Sequence, residues 1–196
     1  MIITAIVIFG LLGLLVTTAN FWVNWWWFDS MGFKRVLTTV YISRAAAFVV
    51  AGLIAALFFS INVQAAIRNG KALMLQRPAG IFGNRIGRGL LFLLTALVAV
   101  VAGSWASSRW QTWRLFGAGS DFGVTDPIYH RDVAWYVFRL PAIESVQRGA
   151  ISLLLWTFLI VVTIYIVSLG LEHLEFGNIP KRVTGHILTL VAIGLL

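Results

Sequence analysis

The stretch from Ile2 to Phe28 contains no charged side chain, and no other feature restricts the possible fold as much. A helix needs about 20 apolar residues to cross a bilayer, so this stretch is long enough for a complete span. Its length, and the lack of a basic start or a small-residue cleavage site, argue against a cleaved signal peptide. The stretch closes with Trp22, Trp25, Trp26 and Trp27, a density typical of the membrane–water interface. We therefore expect a retained first transmembrane helix.

Composition assigns the whole chain to the same class. Hydrophobic residues make up 60% and charged residues 11% of the 196 positions, whereas a soluble domain carries about 25% charged residues. The net charge of +8 does not indicate a nucleic-acid partner, because the basic residues lie between apolar runs, where they act as headgroup contacts and topology signals. The chain has no cysteine, which excludes disulfides, thiolate metal sites and cysteine nucleophiles.

Further apolar runs predict an all-α fold, a multi-pass transmembrane helical bundle in the lipid bilayer. We place the spans at about residues 2–28, 36–63, 89–106 and 150–171, with a fifth that is truncated at 187–196. Residues 107–149 form a long outer loop, and residues 1–196 are expected to be a single transmembrane domain. Because a complete protein rarely ends in mid-bilayer with an unsatisfied helix terminus, we expect the chain to be the N-terminal part of something longer.

Basic residues orient the bundle. The loop 64–88 holds Arg68, Lys71, Arg77, Arg85 and Arg88 and no acid, so the positive-inside rule places this loop and the N-terminus in the cytoplasm, although the outer loop carries arginines too. We expect a protein of the cell membrane. The same positive charge predicts that anionic lipid headgroups contact the cytoplasmic loop 64–88, with a solvated connector as the alternative.

Arg44 interrupts the second span. An arginine near the bilayer centre costs roughly 3 kcal/mol, so it snorkels to the surface or finds a partner. If the first two spans form a hairpin, Asn20 and Arg44 lie at similar depth. We expect Asn20, Asn24 or an acid of the outer loop to hold Arg44, with a snorkelling arginine or a substrate or ion role as alternatives.

Small residues recur every four positions on two spans. They are Ala47, Ala51 and Ala55 on the second span and Thr95, Ala99 and Gly103 on the third. Small side chains at this spacing let helix backbones approach closely in lipid. We expect these two spans to pack together.

The outer loop contains the densest polar and aromatic segment of the chain, from Asp121 to Pro141. Aspartate followed by proline is a good helix start, so Asp126 and Pro127 predict a short interfacial helix that runs to Phe138 and ends or bends at Pro141.

The same segment is the best place to look for chemistry. Asp126 and His130 are four residues apart, and Asp132 follows, a carboxylate–histidine–carboxylate set that can bind a metal or shuttle protons. The plainer interpretation is that Asp126 caps the helix and the others are solvated or paired, and we favour it. A similar but weaker cluster is formed by Glu172, His173 and Glu175. We therefore expect no catalytic residue, no metal site and no cofactor.

At this point the sequence resembles a known family. Asp126-Pro127, Asp132, Trp135 to Phe138 and Leu140-Pro141 look like the signature of uncharacterised protein family 0182, which comprises large multi-pass prokaryotic membrane proteins. The run from Trp27 to Phe33 is similar to the pattern that follows that family's first helix. The resemblance implies a set of N-terminal spans followed by a large extracytoplasmic domain, of which this chain would be the N-terminal part only. It implies no activity.

Three function hypotheses follow. We favour a non-enzymatic membrane-anchoring or scaffold module, or a subunit of a larger membrane assembly whose other subunits would be its partners. The alternative is a transporter or channel component in which Arg44 and the pair Asn20 and Asn24 line a polar path. A membrane enzyme that uses Asp126, His130 and Asp132 would require these side chains to converge in one pocket.

Overall fold

The structure is a computed structural model that describes residues 2–71, 85–169 and 180–195. This part of the chain forms no β-strand and consists of α-helices joined by loops, which confirms the predicted all-α fold. The helices are α1 (Ile2–Ser30), α2 (Lys34–Lys71), α3 (Arg85–Ser108), α4 (Trp110–Ala118), α5 (Leu140–Leu169) and α6 (Lys181–Gly194). A π-helical turn, Trp135–Arg139, leads directly into α5.

Four helical segments are long and apolar enough to cross a membrane, and each overlaps one of the four complete spans that the sequence predicts. The segments are Val7–Ser30, Lys34–Gly70, Arg85–Ser108 and Trp135–Ser168. The second is longer than predicted because α2 continues beyond residue 63. The fourth begins near residue 135 instead of 150, and α6 begins directly after Pro180 instead of at 187.

By its internal contacts the chain divides into two compact units, residues 1–45 and 46–196. The first is a helical hairpin of α1 and the start of α2. Gly32 makes the turn between them with a φ of +75°, a conformation that glycine adopts without steric cost. Near the turn, Lys34 pairs with Asp29 at 3.3 Å and lies 4.6 Å from the centre of the Trp25 ring.

The second unit is a bundle in which α2 packs against α3 and α5, and α5 against α6. Buried side chains from α2, α5 and α6 form its core, each at most 3% exposed: Phe59, Val63, Ala66, Val161, Ile164, Tyr165, Val183 and Leu190. Burial between helices replaces lipid contacts with close-packed protein contacts, which stabilises the bundle through dispersion forces.

The predicted packing of the second and third spans is found, with a shift of one residue on α2. A Cβ atom on Gly103 would lie 2.7 Å from the Phe48 carbonyl oxygen, and one on Gly52 would lie 3.0 Å from the Ala99 carbonyl oxygen. Ala99 and Gly103 therefore contact α2 as predicted. On α2 these contacts are made by Phe48 and Gly52, each one residue after a predicted position, and one residue corresponds to about 100° around a helix.

The helix predicted from Asp126 to Phe138 is wrong in its first half. Residues 127–129 form a turn, Thr125 and Asp132 form an isolated antiparallel bridge, and helical structure begins only after Asp132. Pro141 does not end the helix: it directly follows the π-helical turn, inside a helical segment that is continuous from residue 133. A short helix does occur in the outer loop, but it is α4. The interfacial position that the sequence predicts for residues 126–138 stays a prediction.

Candidate functional site

Arg44, Asn20 and Asn24 are not brought together. All three residues are exposed, and within residues 2–45 no hydrogen bond joins Arg44 to either asparagine. The reason lies in which face of α1 packs against α2. That face carries aromatic side chains, with Phe21 only 5.3 Å from Tyr41 between ring centres. Because Asn20 and Asn24 each precede an aromatic residue of that face, they are rotated away from it by about 100°. The predicted pairing is therefore absent from this unit.

Asp126 holds the turn of the outer loop. Its carboxylate accepts a hydrogen bond from the Tyr129 amide at 2.6 Å and another from the Tyr136 hydroxyl at 3.2 Å. His130 follows the turn with a φ of +54° and is exposed. Asp126 therefore does not cap a helix as predicted; its side chain instead satisfies a local backbone donor within a turn.

Asp132 is the residue that caps the helix. Its carboxylate accepts hydrogen bonds from the backbone N–H groups of Ala134 at 2.7 Å, Gly123 at 2.9 Å and Phe122 at 3.0 Å. These donors, that of Ala134 foremost, hold the pKa of Asp132 below its ordinary value, because they stabilise the ionised form. A carboxylate with three backbone partners has a structural role in the loop.

Asp126, His130 and Asp132 do not form a common pocket, since the two carboxylates face different backbone groups. No cluster of three histidine, aspartate or glutamate side chains suited to a metal ion occurs among residues 2–71, 85–169 and 180–195. The second predicted cluster, Glu172, His173 and Glu175, lies outside the described residues. The geometry described therefore gives no support to metal or acid–base chemistry in the outer loop.

A shallow cavity of about 150 Å³ lies beside this loop. Arg131 forms one wall, with its guanidinium 4.5 Å from the centre of the Trp135 ring. Known small-molecule sites are larger, about 300–1,000 Å³. The cavity is lined by Gly119, Asp121, Arg131, Asp132, Ala134, Trp135, Phe138 and Arg139.

The most complete polar arrangement lies inside the second unit, and the sequence analysis did not find it. Asn69 of α2 donates to the hydroxyl of Tyr165 on α5 at 3.2 Å, and that hydroxyl lies 2.7 Å from Nδ1 of His186 on α6. Nε2 of His186 lies 3.1 Å from Oδ1 of Asn62, whose amide donates to the Phe58 carbonyl oxygen at 2.7 Å. We call Asn62, Asn69, Tyr165 and His186 the polar chain. It links three helices in otherwise apolar surroundings.

One signal for the polar chain was present in the sequence. Asn62 and Asn69 are seven residues apart, a spacing that puts both on one face of a helix. Their partners on α5 and α6 follow about a hundred residues later and could not be assigned from spacing alone. The arrangement became visible only once the helices were placed.

Comparison with known proteins adds a family. The sequence model described as "Uncharacterised protein family (UPF0182)" matches residues 1–196. A UPF0182 protein of Streptomyces coelicolor is 30% identical over 183 residues, which cover 90% of this chain and 18% of the relative. A UPF0182 protein of Geotalea uraniireducens is 28% identical over 204 residues, 98% of this chain and 22% of the relative. The chain thus spans about a fifth of the length of these curated relatives. No solved structure matches it.

Proposed function

Because this chain belongs to the Uncharacterised protein family (UPF0182), we propose that it is a non-enzymatic membrane-anchoring or scaffold module of a larger membrane assembly. The proposal gives the described helices one task, which is to hold the rest of the assembly in the bilayer. Other membrane subunits are its proposed partners. The resemblance noted in the sequence and the length of the relatives support this view, since four fifths of each relative lie outside the matched region.

The observation that carries the proposal is the closed interior of the second unit. Phe59 of α2 and Val161 of α5 are at most 1% exposed, and Val183 and Leu190 of α6 are equally buried. The outward faces are apolar instead, as at Phe92, which is 73% exposed. A conducting pore needs polar groups around a continuous cavity, whereas a closed interior with apolar outer faces suits an anchor in lipid.

The orientation and the lipid contacts belong to the same proposal. The cell membrane is its proposed location, with the N-terminus in the cytoplasm. Arg68, Arg85 and Arg88 are exposed and flank the interhelical part of loop 64–88, where anionic headgroups of the cytoplasmic leaflet would contact them. The remainder of that loop, with Arg77, lies outside the described residues.

The alternative, a transporter or channel component, gains no support from the residues chosen for it. Arg44, Asn20 and Asn24 are exposed on the outer surface of their hairpin and do not surround a cavity within residues 2–45. A polar path through these residues would need further walls from other parts of the assembly.

Single cysteines test the proposal, because residues 1–196 contain none and any cysteine elsewhere in the full-length protein can first be replaced by serine. Full-length protein in cells is treated with a membrane-impermeant thiol reagent. We expect Ser120→Cys to be modified from outside, Arg88→Cys only after permeabilisation, and Phe59→Cys and Val161→Cys in neither case. Modification of both interior cysteines by an aqueous reagent would contradict a closed anchor and favour a channel. Reversed labelling of Ser120→Cys and Arg88→Cys would overturn the orientation alone.

A further inference from the structure

The polar chain has only one arrangement of protons that satisfies all its members. The Asn62 amide nitrogen donates to the Phe58 carbonyl oxygen, which can only accept, so Oδ1 is the atom that faces His186. Oδ1 is an acceptor, and therefore Nε2 of His186 must carry a hydrogen. In a neutral ring Nδ1 is then the acceptor, and the Tyr165 hydroxyl donates to it. The Tyr165 oxygen in turn accepts from Asn69.

Protonation of the ring breaks this arrangement at one point. With a hydrogen on both nitrogens, Nδ1 becomes a donor and faces the Tyr165 hydroxyl, which was itself the donor. The Tyr165 oxygen can accept from both His186 and Asn69, but its own hydrogen then has no acceptor within the polar chain unless the Asn69 amide turns over and presents its oxygen, which rearranges the contact between α2 and α5. An unsatisfied buried donor is unfavourable, and so is a positive charge placed among apolar helices.

Within residues 2–71, 85–169 and 180–195, the charged groups around His186 would not compensate. No aspartate or glutamate occurs on α2, α3 or α6. On α5 the acid is Glu144, which pairs with Arg148 and lies about 30 Å along the helix from Tyr165. The ionisable side chain in contact with the ring is Tyr165. The other charged side chains described at this end of these helices are basic and exposed: Arg68, Arg85, Arg88, Lys181 and Arg182.

We propose that His186 is a proton-binding switch that fastens α6 to α2 and α5 when its ring is neutral and releases α6 when the ring is protonated. Two features make the switch usable. His186 lies in the second turn of α6 and is partly exposed, so protons from the adjacent aqueous phase reach it. On the same helix Val183 is 1% exposed, so release of α6 uncovers a position that is closed in the fastened state. This inference goes beyond anchoring, because it gives the module a response to pH.

The test follows the uncovering of residue 183. Val183→Cys reports whether α6 is fastened, and the neighbouring exposed position, Thr184→Cys, corrects for the intrinsic pH dependence of the thiol reaction. Full-length protein in vesicles is labelled with 4,4′-dithiodipyridine, a reagent that also reacts in acid. We expect the ratio of the two labelling rates to rise about tenfold between roughly pH 8 and pH 5, the range over which a histidine side chain changes charge. An unchanged ratio would overturn the proposal.

Variants of the three histidines identify the titrating group. His186→Asn keeps an acceptor for Tyr165 but cannot take up a proton, so the labelling ratio should lose its pH dependence. His130→Gln and His173→Gln should respond like the unmodified chain. If either of these removes the response, or if His186→Asn retains it, His186 is not the switch. The double variant Glu172→Gln, Glu175→Gln should also respond normally.

A second measurement observes the ring of His186 in the unmodified protein. Nitrogen NMR of histidine-labelled protein distinguishes the protonated from the unprotonated ring nitrogen. The signal of the unmodified protein that disappears in His186→Asn belongs to His186, and near neutral pH it should show a hydrogen on Nε2 and none on Nδ1. A hydrogen on Nδ1 under those conditions would refute the assigned proton order. The labelling result at residues 59 and 161 near neutral pH tests the anchor separately, so the two proposals can fail independently.

Discussion

Close approach of α2 and α3 depends on the missing side chain of Gly103. A Cβ atom there would stand 2.7 Å from the Phe48 carbonyl oxygen and 2.9 Å and 3.0 Å from two Phe48 ring carbons. Gly103→Ala must therefore push the two helices apart or displace Phe48, and overpacking of this kind costs about 1–3 kcal/mol. Alanine also favours the helical backbone by about 0.5–1 kcal/mol over glycine, which partly offsets that cost.

Gly89→Ala is the matched control for this change. Gly89 lies on the same helix, and an added Cβ would meet no atom within 4 Å, so only the backbone gain applies. Because that gain is common to both variants, the difference between them isolates the packing cost of about 1–3 kcal/mol.

The assay is the free energy of unfolding in bicelles, measured by steric trapping with a monovalent streptavidin on biotin tags at two positions. We expect Gly103→Ala to be less stable than Gly89→Ala by that amount, about a tenfold change in the unfolding equilibrium for every 1.4 kcal/mol. Equal stability of the two variants would refute the argument that backbone contact at Gly103 holds α2 and α3 together.

Three further outcomes can be checked. Phe59→Ala should cost up to about 3–5 kcal/mol in the same unfolding assay, because its side chain is 1% exposed, while Phe92→Ala, 73% exposed, should cost far less. Backbone donors, that of Ala134 first, lower the pKa of Asp132, so the ionised carboxylate stabilises the loop above its unfolded pKa of about 3.9. This contribution is lost as the pH falls through the folded pKa, and pepsin should then cut the loop progressively faster. Asp132→Asn lacks the ionised carboxylate and should be cut readily at every pH tested. Arg44→Leu should insert at least as well as the natural chain in a glycosylation-based insertion assay, and poorer insertion would indicate a partner for Arg44.

The spans could be predicted because a bilayer leaves the backbone few choices. In a hydrocarbon environment every N–H and C=O group must be bonded within the segment, so a long uncharged run forms a helix whatever its neighbours do. Boundaries were less accurate where an amphiphilic end extends the helix, as in α2 after residue 63. A hydropathy profile does not detect such extensions, because their residues lie beyond the apolar core of the span.

The outer loop shows why local signals were insufficient there. Asp126 and Asp132 are both good helix caps by residue type. The choice between them depends on Phe122 and Gly123, whose N–H groups point at Asp132 from ten and nine residues away. Such a loop is closed by contacts of intermediate range, and a rule that considers only the next few residues selects the first candidate.

The polar chain was missed for a related reason. Each of its members is unremarkable in its own helix, where an asparagine or a tyrosine among apolar residues has many possible roles. Its meaning comes from the meeting of α2 with α6, which joins residues 124 positions apart in the sequence. Depth in the bilayer alone could have suggested neighbours for Asn62, but not the order of donors and acceptors.

The π-helical turn at Trp135–Arg139 sets the rotation of α5 relative to the outer loop. A turn of this kind accommodates one residue more than an α-helical turn, so the two ends of one continuous rod are set about 100° apart from where a regular helix would put them. Within the turn, the Phe138 ring covers Gly119 so closely that no Cβ would fit. Further along α5, Gly149 contacts the ring of Trp105. Deletion of a single residue inside the turn would restore regular α-helical winding. Because the two sides would then rotate relative to each other by about 100°, one of these two contacts would be lost while the other was kept. The extra residue of the turn therefore sets the angle between these two contacts along one continuous helix.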